Sequence, residues 1–340
     1  MRVTRESLLR IAKETVQERA YNDSDIVAAY LTGSLRAEPM LGGAADIDLV
    51  FVHKSTPVKP REFVKLTPDF HIDISRRAKD EFKNPRELRG DPWLGYEMYD
   101  PVLLYEREKF FDFVQASLRA GFEFEQPPLM LQRCRTLLSH GRGNWMDLSE
   151  FEGAPGPKEI RKYMKSLFHA VNAIAELSGP PMWERRLLLD LPVRAEAIQK
   201  PGLVAAVYGL IGANRVDAEQ VRGWLSDWKA AYRVACETPG VDARIHPARL
   251  NYYEKAIKAL LEGETPLSAL WPLLHTWTFS SQALGGDHLQ FWQAACNSLG
   301  LIEGFQDRVN GLDHFLDELE ITFDELAAGY GLDAEPSTGL

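Results

Sequence analysis

The spacing of apolar residues changes near Pro127, and this change divides the chain into two predicted parts. Before that point, a stretch of helical periodicity over residues 4–20, which Thr4 could cap, is followed by short apolar runs. These runs predict strands over residues 26–32, 46–53, 70–75 and 101–105. Gly33 ends the first run, prolines separate the second from the third, and a further helix is expected near Glu108. A helix followed by a small sheet is therefore expected at the start of the chain.

After Pro127, helical periodicity dominates and β-branched runs become scarce. One apolar stripe lies within 160–174, and Gly153 to Pro157 is the most linker-like stretch. Proline and glycine signals separate further predicted helices over residues 183–199, 202–213, 217–236, 247–262, 265–284, 287–302 and 311–328. The predicted fold class is α+β, with a small mixed sheet in domain 1–122 and an all-helical domain over 123–340.

Composition and charge narrow the function classes. The chain has 340 residues, of which 45% are hydrophobic and 26% charged, as in an ordinary soluble protein. Its formal net charge is -10, and the last forty residues supply most of that charge, with ten acidic residues against Arg308. Without an excess of lysine and arginine, the chain has little general attraction for nucleic acid, so a small acceptor is expected instead.

Cysteines and termini indicate a cytoplasmic protein. Cys134, Cys236 and Cys296 lie far apart and form no zinc-binding or disulfide pattern, so we expect reduced thiols. The N-terminus has no uninterrupted apolar core typical of a signal peptide, and the longest apolar run, 203–213, is too short to cross a bilayer. No membrane partner is expected.

Three short motifs carry the candidate chemistry. Gly33-Ser34 ends the first predicted strand, Asp46 and Asp48 lie on the second, and Asp73 lies on the third. Residues i and i+2 of a strand point to the same face, so Asp46 and Asp48 should project together and hold Mg²⁺ through their oxygens. Asp73 could ligate an ion or accept a proton, and the backbone N–H groups of Gly33 and Ser34 could approach phosphates closely.

These motifs resemble the DNA polymerase β-like nucleotidyltransferase superfamily, and the helical second domain is similar to that of aminoglycoside and kanamycin nucleotidyltransferases. The resemblance covers residues 25–105. It implies Mg²⁺-dependent transfer of a nucleoside monophosphate, with ATP the expected donor, to a hydroxyl of a small acceptor such as an aminoglycoside-like antibiotic. On this basis Asp46, Asp48 and Asp73 are metal ligands and catalytic residues. Ala45, where many relatives have serine, and the long connection over 35–45 depart from the family pattern.

Further cations are candidates for triphosphate binding. Arg36 follows Gly33-Ser34 directly, while Lys162 and Lys165 share one predicted helix with Lys158 and Arg161. Such side chains could neutralise a triphosphate. For the helix, a solvated charged face is the competing interpretation, and charge runs favour it.

Other functions remain open from the sequence. The same fold could bind nucleotide as a sensor without turnover, or it could be an antitoxin-like enzyme that adenylylates a partner protein. Arg135 and His140 match the spacing of HEPN ribonucleases, a pattern that also arises by chance. The tryptophans of the helical part indicate core more than an acceptor pocket, and the acidic tail indicates a solvated helix face more than an attractor for a cationic acceptor.

Overall fold

The computed structural model describes residues 4–33, 35, 40–122 and 126–332. Contacts divide the chain into two compact units. The first unit contains Met1–Arg89, Trp93–Phe122 and Ala243–Ala259, and the second contains Gly90–Pro92, Glu123–Asp242 and Leu260–Leu340. The first unit holds a mixed sheet and the second is helical in its described part, so the predicted α+β class is confirmed.

The first unit begins with α1 (Arg5–Asn22), whose N-terminus is capped by Thr4 as predicted. Its five strands are β1 (Ile26–Thr32), β2 (Ala45–His53), β3 (Arg61–Lys65), β4 (Phe70–Ala78) and β5 (Val102–Glu106). They form one sheet in the order β3-β4-β2-β1-β5, in which β2 and β4 are parallel and the other neighbours antiparallel. Two helices, α2 (Leu94–Tyr99) and α3 (Phe110–Arg119), complete the N-terminal part of this unit.

Side-chain alternation along the central strands sorts residues between the two faces of the sheet. Ile47 and Leu49 of β2 and Ile72 and Ile74 of β4 pack in one apolar cluster with α1. On the opposite face, Tyr30, Val50 and Val52 pack in a second cluster with residues of α2 and α3. The aspartates at 46, 48 and 73 occupy the alternate positions of β2 and β4 and therefore point away from α1.

Two features of the first unit differ from what the sequence predicted. The short strand β3 was expected as a connection, because Pro57 and Pro60 precede it and charged residues stand at both of its ends. The segment 243–259, expected in the helical domain, belongs by its contacts to the first unit. Its N-terminal part, which is interrupted at 90–92, ends at Phe122, and the two-domain division at 122/123 stays a prediction.

The second unit is built from helices close to those predicted. Two long helices, α4 (Pro127–Ser149) and α5 (Pro157–Ala175), come first. The others are α6 (Leu187–Ala197), α7 (Gly202–Leu210), α8 (Ala218–Gly223), α9 (Leu225–Ala235), α10 (Leu250–Leu261), α11 (Leu270–Gln282), α12 (Asp287–Ser298) and α13 (Phe305–Gly329). Of these, α10 belongs to the first unit up to Ala259. Among the described residues, no helix has both the length and the apolar character required to cross a bilayer.

Contacts within the second unit explain the positions of three tryptophans and of part of the acidic helix. Trp228, Trp271 and Trp277 are buried, and the indole N–H of Trp228 donates to the hydroxyl of Thr276 at 2.9 Å, as expected for core residues. On the acidic helix α13, three carboxylates form ion pairs with Arg142, namely those of Asp313, Asp317 and Glu320. One guanidinium group offsets only part of this negative charge, and the role of the acidic tail stays a prediction.

Candidate metal centre

The register of the sheet brings the three predicted aspartates together. Asp48 on β2 is paired with Asp73 on the parallel neighbour β4, and with Thr32 on β1. Phe63 on β3 is paired with Asp73 from the other side. Paired residues of adjacent strands point to the same face, so this row continues across four strands. Asp46 lies two positions before Asp48 on the same face.

One carboxylate oxygen from each of Asp46, Asp48 and Asp73 lies within 4.8 Å of the other two. Asp46 and Asp73 are each 3% exposed, whereas Asp48 is partly exposed. Enclosure by protein atoms, followed by the negative charges of Asp46 and Asp73, raises the pKa of Asp48 well above its ordinary value. A cation among the three carboxylates would relieve this repulsion.

The chain passes close to Asp48 at Gly33, the residue that directly follows β1. Its φ is +76°, and a Cβ at this position would lie 1.8 Å from Oδ2 of Asp48. Only the absence of a side chain therefore allows the chain to pass beside this carboxylate. The other two candidates on this loop, Ser34 and Arg36, lie outside the described residues.

Arg61 of β3 binds Asp73 with both ends of its guanidinium fork. Nε donates to Oδ1 at 2.9 Å, and Nη2 donates to Oδ2 at 2.6 Å. Such paired charge-assisted hydrogen bonds fix the plane of the carboxylate. The sequence interpretation missed this residue because it did not recognise β3. The sequence of this strand, Arg-Glu-Phe-Val-Lys, does not alternate between apolar and polar residues, and the pair Phe63-Val64 was the available signal.

The segment 243–259 of the first unit, which we call the returning segment, contributes Arg249 to the same face. Nη2 of this arginine lies 3.9 Å from Oδ2 of Asp46, and its side chain is 7% exposed. The guanidinium carbon stands 5.1 to 5.5 Å from the ring centroids of Phe63, Tyr252 and Tyr253. The periodicity predicted the helix that follows Arg249, but no local signal showed which unit it would join.

Further contacts attach the returning segment to β3 and β4. The ring of His246 stacks on Phe63 with centroids 4.8 Å apart, and Tyr252 meets the edge of His71 at 5.3 Å. Nζ of Lys255 lies 2.7 Å from Oδ2 of Asp69. His71 lies two residues before Asp73 on the same strand, and it is fully buried on the shared face.

The remaining sequence candidates lie in the second unit. Nζ of Lys162 donates to Asp147 at 2.7 Å within this unit, and Lys165 is exposed. Their predicted role in nucleotide binding stays a prediction. Of the HEPN-like pair, Arg135 is bonded to Asp324 at 2.9 Å, whereas the ring of His140 contacts that of His169.

The residues present fit a divalent cation. Three carboxylates offer hard oxygen ligands on two adjacent hydrogen-bonded strands, and oxygen ligands are what Mg²⁺, Mn²⁺ and Ca²⁺ prefer. Their spacing allows one ion to reach an oxygen of each. The site can therefore hold a metal ion through Asp46, Asp48 and Asp73.

Comparisons with known proteins show structural similarity, but the overall agreement is low. No protein-family model matches the chain, and no curated protein matches it. Among solved structures, the chain is similar to a nucleotidyltransferase-like protein from Exiguobacterium sibiricum, with 11% sequence identity and a TM-score of 0.27. The match covers 88% of this chain and 89% of the other. Similarity at this level says nothing about the function of the metal site, whose assignment depends on the geometry of its three carboxylates.

Proposed function

We propose that this protein is a metal-dependent nucleotidyltransferase that transfers a nucleoside monophosphate, with ATP as the expected donor, to a hydroxyl of a small-molecule acceptor. The observation that carries the proposal is the cluster of three carboxylate oxygens within 4.8 Å on β2 and β4, beside a glycine that leaves room at Asp48. The order of the motifs in the sequence supports the same reaction class.

In the proposed reaction, the acceptor oxygen forms a bond to the α-phosphorus, and the bond from this phosphorus to the bridging oxygen breaks. Pyrophosphate leaves with the electron pair. Asp73 takes the proton of the acceptor hydroxyl, and Arg61 holds the Asp73 carboxylate in one orientation. Asp46 and Asp48 hold the cation, which when bound supplies electrostatic stabilisation of the charge developing on the phosphate oxygens.

The test is pyrophosphate release by the full chain with ATP, Mg²⁺ and a pooled library of hydroxyl-bearing acceptors. We expect Asp46→Ala and Asp48→Ala to abolish release while the circular dichroism spectrum is unchanged, because each removes a cation ligand. Asp80→Ala is the matched control, since Asp80 is an exposed aspartate of the same unit outside the cluster. Full activity in both cluster variants would show that the site is wrongly placed.

The same assay separates the alternatives. A nucleotide sensor would bind ATP and release no pyrophosphate with any acceptor. An enzyme acting on a partner protein would transfer label from α-labelled ATP to a protein band in a cell lysate, whereas the proposed activity would label a small molecule. A ribonuclease would instead cleave RNA and lose this activity on His140→Ala.

A further inference from the structure

The acid cluster of the first unit is flanked by two arginines. Arg61 engages both oxygens of Asp73, and Arg249 faces an oxygen of Asp46. Both cations come from outside the acidic motifs: one from the edge strand β3 and one from the returning segment. Their positions bear on how many metal ions the cluster accepts.

Arg249 is a fixed part of the site. Burial of an arginine is costly unless anions and hydrogen bonds compensate for lost hydration, and here the compensation includes Asp46 and three aromatic rings. The rings of Phe63, Tyr252 and Tyr253 surround its guanidinium group, so its positive charge is held beside the cluster. Arg61 is more exposed, at 36%, but its bidentate hydrogen bonds hold it closer to its carboxylate, at 2.6 Å against 3.9 Å for Arg249.

The formal charges can be counted directly. Carboxylates that ligate a cation are ionised, so the three aspartates carry -3 in the metal-bound site, and two guanidinium groups, which stay protonated, carry +2. One divalent cation brings this five-residue set from -1 to +1. A bare triad of carboxylates needs two divalent cations to reach the same +1. The two arginines therefore replace the charge of one ion.

Geometry agrees with the charge count. One oxygen of each aspartate lies within 4.8 Å of the other two, which suits ligands around a single ion with metal–oxygen distances of about 2.0–2.6 Å. A second ion would have to share Asp73 or Asp46 with a guanidinium group already beside it, and like charges repel at this range.

We propose that this acid cluster binds one divalent cation, and that Arg61 and Arg249 take the place of a second. This inference rests on the proposed function and specifies the charge arrangement of that site. It predicts that the complex with nucleotide contains one metal ion, shared between the aspartates and the triphosphate.

The probe is Mn²⁺ with a non-hydrolysable ATP analogue whose α–β bridging oxygen is replaced by a methylene group. The full chain is equilibrated with both by dialysis, and retained Mn²⁺, nucleotide and protein are each quantified. We expect a ratio of 1:1:1, with an electron paramagnetic resonance spectrum free of coupling between neighbouring Mn²⁺ ions. A ratio of 2:1:1 with coupled ions would overturn the one-ion site and leave the proposed function standing. Retention of no Mn²⁺ would overturn both.

A pair of variants tests the role of Arg61. Arg61→Gln removes the cation from Asp73, and we expect the ratio to rise to 2:1:1. The matched control is Arg76→Gln, because Arg76 lies on β4 and pairs with Glu62 away from the cluster; its ratio should stay 1:1:1. A ratio of 1:1:1 in folded Arg61→Gln would overturn the assignment. The count for the unmodified chain tests the inference even if this variant does not fold.

Discussion

Gly33 lies against Asp48, and replacing it by alanine tests whether this approach shapes the metal site. The added Cβ would lie 1.8 Å from Oδ2 and 2.7 Å from Cγ of Asp48, whereas ordinary contacts begin near 3.4 Å. The carboxylate would have to move by more than 1 Å or rotate away. Metal ligands tolerate displacements of only ~0.2 Å, so Gly33→Ala should remove Asp48 from the ligand set.

Two effects of this substitution have to be separated. The backbone of Gly33 has φ of +76°, and an L-residue in this region costs about 1–2 kcal/mol of folding free energy. Gly43 is a matched control, because its φ is +69° and a Cβ there would meet nothing within 4 Å. Denaturant unfolding should therefore show a free energy of unfolding that is about 1–2 kcal/mol lower in both variants. The decrease should be larger for Gly33→Ala if the added methyl group displaces the end of β1.

Metal affinity distinguishes the two variants. Calorimetric titration with Mn²⁺ should show at least a ~10- to 100-fold weaker affinity for Gly33→Ala, by comparison with the effect of disturbing groups that only orient a ligand. Gly43→Ala should bind Mn²⁺ like the unmodified chain. Equal Mn²⁺ affinity in the two variants would refute the argument that Gly33 is needed for the position of Asp48.

Two further predictions concern the returning segment and the pH dependence of stability. Gly42→Ala would place a Cβ 2.3 Å from the carbonyl oxygen of Lys255, so thermal unfolding should occur at a lower temperature than in Gly43→Ala; equal melting temperatures would contradict this contact. Burial, with the nearby charges of His140 and Lys165, lowers the pKa of His169 from 6.5 to about 4. Above pH 6.5 this histidine is neutral in both folded and unfolded chains, and as the pH falls towards 4 the unfolded chain takes up the proton first. Between pH 6.5 and pH 4, the free energy of unfolding should therefore fall by about 3 kcal/mol more in the unmodified chain than in His169→Gln. The same pH dependence of the free energy of unfolding in the two proteins would exclude this effect.

Local patterns of apolar and polar residues were sufficient to predict those helices and strands whose formation depends mainly on their own residues. β1, β2, β4 and β5 were predicted because apolar runs end at glycine or are separated by prolines. The acid cluster followed from them, since alternation and strand order together place Asp46, Asp48 and Asp73 on one face. Most helices after Pro127 were also found at their predicted positions.

The two arginines could not be predicted in the same way. Arg61 lies on an edge strand with charged ends, which resembles a loop in composition. The helix that follows Arg249 was predicted, but the sheet against which this segment packs was not. Helical periodicity shows that one face of a helix is buried, but it does not show which element packs against that face. A non-local contact of this kind leaves no trace in a single sequence.

The returning segment has a consequence for the order of folding during synthesis. The strands and the acidic motifs emerge from the ribosome early, whereas 243–259 follows only after α4 to α9 have been made. At about 5 to 20 residues per second, this delay is on the order of ten seconds. Until then Phe63 and His71 lack His246 and Tyr252, and Asp46 lacks Arg249. The nascent first unit thus carries its acid cluster without the flanking Arg249 until the helical part has largely been translated.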